Sequence, residues 1–174
     1  YISKNIDKMK KNIFAGYNIT CVGDNRKYSY LPSREKNSIS DRAYLKILKK
    51  NKINFKLYDW SERGSDERQY CFPGVDLPIG TIMRSKFGNY KEYHTSEDKI
   101  GNVVTKKGLY SSLKIIKKCI NFLESQDYPV AKKFCEPFLT KYIMYSTLSD
   151  INQKKKNKGF TDVLTWCDGK NNVF

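Results

Sequence analysis

Ile2, Ile6, Met9 and Ile13 fall at helical spacing among Lys and Asn, so the chain opens on an amphipathic helix over residues 2–13. The run FAGYNITCV over 14–22 reads as a buried strand, closed by the turn Gly23-Asp24-Asn25. Residues 26–37 are polar and aromatic, contain Pro32, and predict an irregular crossing. Ser40-Asp41 supplies an N-cap for a helix whose Ala43, Tyr44, Ile47 and Leu48 share one face. The run INFKLYDW over 53–60 predicts a second strand, and 79–84 a third, with a loop rich in charge, Gly and Pro between them. A second loop, KFGNYKEYHTSEDKIGNV, leads to a helix over 106–124 with Leu109, Leu113, Ile116, Ile120 and Leu123 as its buried stripe. Helix, strand, helix, strand, strand, helix is an α/β order, with a mixed or parallel sheet covered by helices.

Past residue 126 the pattern changes. Residues 127–153 form an aromatic, Pro-containing extension. The run KKKNK over 154–158 reads as a linker, and 159–174 opens as an amphipathic helix carrying Phe160, Val163, Leu164 and Trp166. The predicted organisation is therefore an α/β domain over 1–126, the extension over 127–153, and a linker with a short helical piece over 154–174. So few strands cannot bury both faces of a sheet, and the first helix starts without a cap. The sheet is expected to continue upstream of Tyr1, which makes the chain a C-terminal piece of a longer protein.

With 174 residues, the chain can bury one ordinary core. Aromatic residues make up 14% and argue against disorder throughout. No apolar run approaches the ~20 residues that span a bilayer, so no membrane partner is expected. Five cysteines without a CxxC pair fit free thiols in a reducing cytosol, and a cytoplasmic location is expected. Cys119 sits in an apolar helical stripe and reads as core. The net charge of +15 raises a nucleic-acid reading. Only six of the basic residues are Arg (26, 34, 42, 63, 68 and 84), and lysines spread over every helix fit a solvated surface better. A non-enzymatic basic interaction module, or a nucleic-acid-binding one, stands as the alternative.

His94 is the only histidine, and a lone histidine is by default a packed or surface residue. Its loop, however, joins a strand to a helix, where α/β folds place ligands. Asp98 follows closely enough to accept a second imidazole N–H. The loop Arg63-Gly64-Ser65-Asp66-Glu67-Arg68 gathers two carboxylates and two guanidinium groups. It reads equally as a solvated charged turn, or as a carboxylate poised for a substrate amine with arginines tuning its pKa or gripping a carboxylate.

The succession YDWSERGSDERQYCFPGVDLPIGTIMRS (58–85), followed by EYHTSEDKIGNV (92–103), resembles the bacterial aminopeptidase-like proteins related to zinc aminopeptidases and glutaminyl cyclases. In that superfamily a Ser-Asp loop, a small apolar segment ending in Pro and a closing His-Thr-x-x-Asp occur in this order. Gly64-Ser65-Asp66, Val75 to Pro78, and His94 to Asp98 match them, and FAGYNITCVGDNRKYSYLPSR over 14–34 is similar to the aminopeptidase-like subgroup. The resemblance implies an α/β fold: the C-terminal half of a zinc-aminopeptidase-like mixed sheet flanked by helices, plus the start of a winged helix over 159–174.

For the site, the resemblance implies His94 as the last zinc ligand and Asp98 as its supporting carboxylate. Asp66 becomes a catalytic residue at the substrate end, with Arg63, Glu67 and Arg68 binding substrate. The remaining ligands and the general-base Glu lie upstream of Tyr1 in such proteins. One zinc ion and a peptide or amine-bearing substrate are then expected of the full-length protein, and no activity of this chain alone. An aspartate ligand of two-zinc relatives is replaced by Thr20, which favours a single zinc unless Asp24 substitutes.

Overall fold

The structure is a computed structural model that describes residues 1–132, 135, 136, 138, 141 and 151–169, with the backbone alone given for 151–157. The described chain divides into two compact units, Tyr1–Glu124 and Ser125–Phe174.

The first unit is a mixed α/β layer structure. Its elements are α1 (Ile2–Asn12), β1 (Gly16–Ile19), β2 (Tyr28–Leu31), α2 (Ile39–Lys50), β3 (Phe55–Leu57), a 3-10 turn (Trp60–Glu62), α3 (Glu67–Tyr70), β4 (Ile79–Met83) and α4 (Lys106–Glu124). The strands form one sheet in the order β1-β4-β2-β3. β1 runs parallel to β4 and β2 parallel to β3, while β2 and β4 are antiparallel. The central strand β4, IGTIM, is buried at every residue, as a strand covered on both faces requires.

Alternation along the strands sorts the two faces. Tyr30 and Ile82 join Ala43, Tyr44, Ile47 and Leu48 of α2 and Ile115, Ile116, Cys119 and Leu123 of α4 in the main core. On the opposite face, Leu31 and Met83 meet Tyr58, and Ile79 meets Cys71 and Leu77, with Met9 and Ile13 at the end of α1 packed alongside. α4 begins directly on the loop after β1. The Thr105 hydroxyl accepts from the Gly108 N–H, the Thr105 N–H donates to the Gly23 carbonyl, and a Cβ at 108 would come within 2.0 Å of that carbonyl oxygen.

Several expectations are corrected. Residues 28–31 form a strand inside the stretch expected to be irregular. Ser29 is buried there by donating to the Arg84 carbonyl at 2.6 Å, so the usual apolar alternation is masked. α2 is capped by Ser38, not Ser40-Asp41, through a reciprocal box with Asp41. Asp41 is fully buried and accepts from Tyr30, Ser33 and Ser38. β1 and β3 are shorter than expected, and β3, an edge strand, is half exposed. The α4 stripe is rotated. Ile115, Ile116, Cys119 and Leu123 are buried, but Leu109, Leu113 and Ile120 are exposed. Cys119 lies in the core as expected, and burial pushes its thiol up to about 11.

In the second unit α5 (Ile151–Thr165) runs through the expected linker at 154–158. Beyond it, Asp168 bridges Val130. The rest of the expected extension and of the segment after 169 lies outside the described residues. All five cysteines are free thiols.

Candidate functional site

Because β2 reverses the direction of the sheet, β3 delivers its loop to the end where β4 begins. That loop crosses the face opposite α2 and α4, and one side chain fixes it there. Glu67 is fully buried. Its Oε1 accepts from the Gly64 and Ser65 N–H groups at 2.8 and 3.0 Å. Its Oε2 accepts from Asn18 Nδ2 at 3.0 Å and Thr81 Oγ1 at 2.9 Å. Asn18 and Thr81 are register partners on β1 and β4, so the carboxylate sits over the middle of the sheet. Burial pushes the Glu67 carboxyl up. The Ser65 and Gly64 N–H groups and the Thr81 hydroxyl outweigh it and hold the group below the ordinary carboxylate range.

With Glu67 turned inward, Asp66 is turned outward. It occupies the N-cap position of α3 but makes no capping bond, and its carboxylate has no hydrogen-bond or ion-pair partner among the described residues. It lines a groove of about 750 Å³ together with Gln69, Tyr70, Phe72 and Val75 and with Ile2 and Ile6 of α1. Arg63 is exposed and lies over the Trp60 ring at 5.5 Å. Arg68 is exposed too. Of the four residues expected from this loop, Asp66 alone lines the groove. Glu67 has no surface to offer a substrate and serves the loop from within.

His94 follows β4, in the loop at the end of the sheet where β1 and β4 finish. The ring is exposed and stacks on Tyr93 with centroids 4.0 Å apart, and the backbone is left-handed at φ 60°. Asp98 accepts from the Tyr90 hydroxyl at 2.8 Å, and no hydrogen bond joins it to His94. That hydroxyl also reaches Cys21 Sγ at 3.5 Å, and Cys21 is itself left-handed at φ 49°. Burial, then the bonds to Cys21 and Asp98, raises the Tyr90 phenol well above its ordinary range. Arg26 lies over the Tyr90 ring at 5.5 Å and pairs with Glu92 at 3.6 Å. The two loops touch where Lys86 pairs with Glu62, Asn89 donates to the Tyr58 hydroxyl, and Phe87 fills the space a Cβ on Gly64 would need.

Tyr90, Asn18 and Thr81 escaped sequence reasoning. The aromatic pair Tyr90 and Tyr93 just before His94 was the available signal for the first; nothing local marks the other two.

No group of three or more His, Cys, Asp or Glu side chains that could hold an ion occurs among the described residues. Asp24 is no substitute ligand for Thr20. It is buried, its oxygens accept from the Arg26 and Ser85 N–H groups, and Arg84 lies 4.0 Å away. Nor is any described helix long and apolar enough to cross a membrane.

A mixed sheet with one loop pinned across its face and a second at its strand ends defines a mixed α/β domain. The chain belongs to the DUF4910 family, a domain of unknown function, whose pattern matches residues 1–126. It is 33% identical over 175 residues, 99% of its own length, to a Clostridium acetobutylicum protein named "Putative polysaccharide biosynthesis protein with aminopeptidase-like domain". It is also similar to the crystal structure of a "putative peptidase" from the same organism, at 32% identity and a TM-score of 0.67 over 98% of the chain. The chain spans 40% and 37% of those two proteins, about two fifths of their length.

Proposed function

We propose that this chain supplies the substrate-facing loop and one ligand-bearing loop of a peptidase-like hydrolase acting on peptide or other amine-bearing substrates. The observation that carries the reading is the pair Asp66 and Glu67. One carboxylate pins the loop to the sheet, and its neighbour is left unpaired on the wall of a groove. A carboxylate held in that way is prepared to receive a substrate ammonium, and a charge-assisted bond of that kind is worth about 1.5–3 kcal/mol. Arg63 and Arg68, on the same exposed turn, complement substrate carboxylates. The aminopeptidase-like name of the relative supports the amine preference, and its polysaccharide context is compatible with an amine-bearing substrate that is not a peptide.

The zinc reading gives His94 one coordination position, with Asp98 nearby and further donors from outside the described residues. A catalytic zinc needs about three protein ligands. This chain alone therefore binds no zinc tightly and shows no peptidase activity. Calorimetric titration with zinc tests this. Sub-micromolar, stoichiometric binding abolished by His94→Ala would contradict it. In the complete protein, Asp66→Asn lowers kcat/KM for a substrate with a free amino end by about tenfold or more and leaves an N-acetylated analogue unaffected. Equal hydrolysis of the free and acetylated substrates by the parent enzyme would remove the role given to Asp66.

A further inference from the structure

The core uses only half of the apolar stripe on α1. Met9 and Ile13 pack against the cluster of Cys71, Leu77 and Ile79. Ile2 and Ile6 lie two turns and one turn before Met9 on the same face. They join no core cluster among the described residues and line the Asp66 groove instead.

The groove's other apolar side chains are held in place by packing and by a tight turn. Tyr70 and Val75 rest on the same cluster as Met9. The Val75 and Asp76 N–H groups both donate to the Phe72 carbonyl, at 2.8 and 3.1 Å. Gly74 sits in this turn at φ 90°, and the Asp76 carboxylate accepts from Arg34 Nε at 2.6 Å, which ties the turn to the segment after β2. Phe72 is 61% exposed. Asp66 is the only charged side chain that lines the groove. A ligand matched to it carries one cation beside an apolar group of some size.

We infer that the substrate amine is the N-terminus of a peptide whose first side chain is bulky and apolar, of the leucine or phenylalanine kind. This assignment rests on the amine-binding role of Asp66 and selects the peptide over an amino sugar. The ammonium meets Asp66, and the first side chain covers Ile2, Ile6, Phe72 and Val75. An amino sugar surrounds its amine with hydroxyl groups. Against these four side chains each hydroxyl would lose water without gaining a partner. A glycine in first place would leave the apolar lining wet.

The test titrates the whole 15N-labelled chain with four probes and follows the backbone amides of Tyr70, Phe72 and Val75. The probes are Leu-Gly-Gly amide, Gly-Gly-Gly amide, N-acetyl-Leu-Gly-Gly amide and glucosamine. Leu-Gly-Gly amide should shift the groove amides saturably, and the glycine peptide and glucosamine should each bind at least about tenfold more weakly. Acetylation should weaken the leucine peptide by about tenfold or more. Phe72→Ser, at an exposed position, should narrow the preference for leucine over glycine about threefold, and Phe72→Leu should keep it. The inference falls if the leucine peptide leaves the groove amides unmoved, or if Phe72→Ser leaves the preference as it was. If the glycine peptide or glucosamine binds as tightly while acetylation still weakens binding, the apolar preference alone is wrong and the role of Asp66 stands. If the acetylated peptide binds as tightly as the free one, the role of Asp66 is wrong and the assignment goes with it.

Discussion

The Asp66 loop and the His94 loop meet through Lys86, Phe87 and Asn89, yet they are held in opposite ways. The first is fixed from beneath by a fully buried carboxylate bonded to two backbone N–H groups and to side chains of two adjacent strands. The second is held at its rim by Tyr90, Arg26 and a stacked Tyr93, and places an exposed imidazole on a left-handed backbone. A buried, satisfied polar network specifies one geometry, because any member left without a partner is costly. The rim contacts are part-buried or exposed, where water competes and each is individually weaker. One loop is therefore fixed by buried contacts beneath it, the other by contacts at its rim.

The most damaging change to that contrast is Glu67→Ala. It strands the Gly64 and Ser65 N–H groups, the Asn18 amide and the Thr81 hydroxyl, and should lower the urea-unfolding free energy by about 3–4 kcal/mol. A loss under about 1 kcal/mol would mean that the carboxylate does not anchor the loop.

Glu67→Gln keeps the shape but offers one accepting oxygen instead of two, and should cost about 1–2 kcal/mol near neutral pH. The folded protein holds the Glu67 carboxyl below its unfolded value. Its contribution is therefore fully present above the unfolded pKa, about 4.3, and is lost as pH falls through the folded one. The parent should lose part of its stability below about pH 4 that Glu67→Gln does not lose, so acid titration of unfolding should bring the two curves together.

Breaking the other loop should matter less. Tyr90→Phe removes the hydroxyl bond to Asp98 and should cost about 1 kcal/mol by thermal unfolding. His94→Gly relieves a left-handed residue but gives up the stack on Tyr93, two terms of about 1 kcal/mol each that offset. Its melting temperature should stay close to the parent's.

Periodicity made the helices legible. It places a helix at about 106–124, where α4 lies, and puts Ala43, Tyr44, Ile47 and Leu48 on the buried face of α2. It could not orient α4, because Leu109, Leu113 and Ile120 form a second apolar row beside the first and hydrophobicity does not say which row meets the sheet. β2 was missed since Ser29 and Tyr28 hide the alternation that a strand normally shows. The mixed sheet was legible as a class, but the reversal at β2 was not, and with it went the path of the Asp66 loop across the sheet face.

Within the candidate site, the loop 63–68 stood out by its charge density, but the two carboxylates could not be told apart in sequence. What separates them is a pairing of Asn18 with Thr81 across strands 63 residues apart, which no local pattern encodes. His94 stands out in the sequence as the only histidine. Its partner in space, Tyr93, was adjacent in sequence, while the partner of Asp98 proved to be Tyr90.

Amide hydrogen exchange on the intact chain addresses the contrast most directly. The Gly64 and Ser65 amides, which sit on a solvent-facing turn, should exchange only with opening of the sheet, and at least about a hundredfold more slowly than the amides around His94. Rapid exchange at 64 and 65, or equal protection of both loops, would contradict the account.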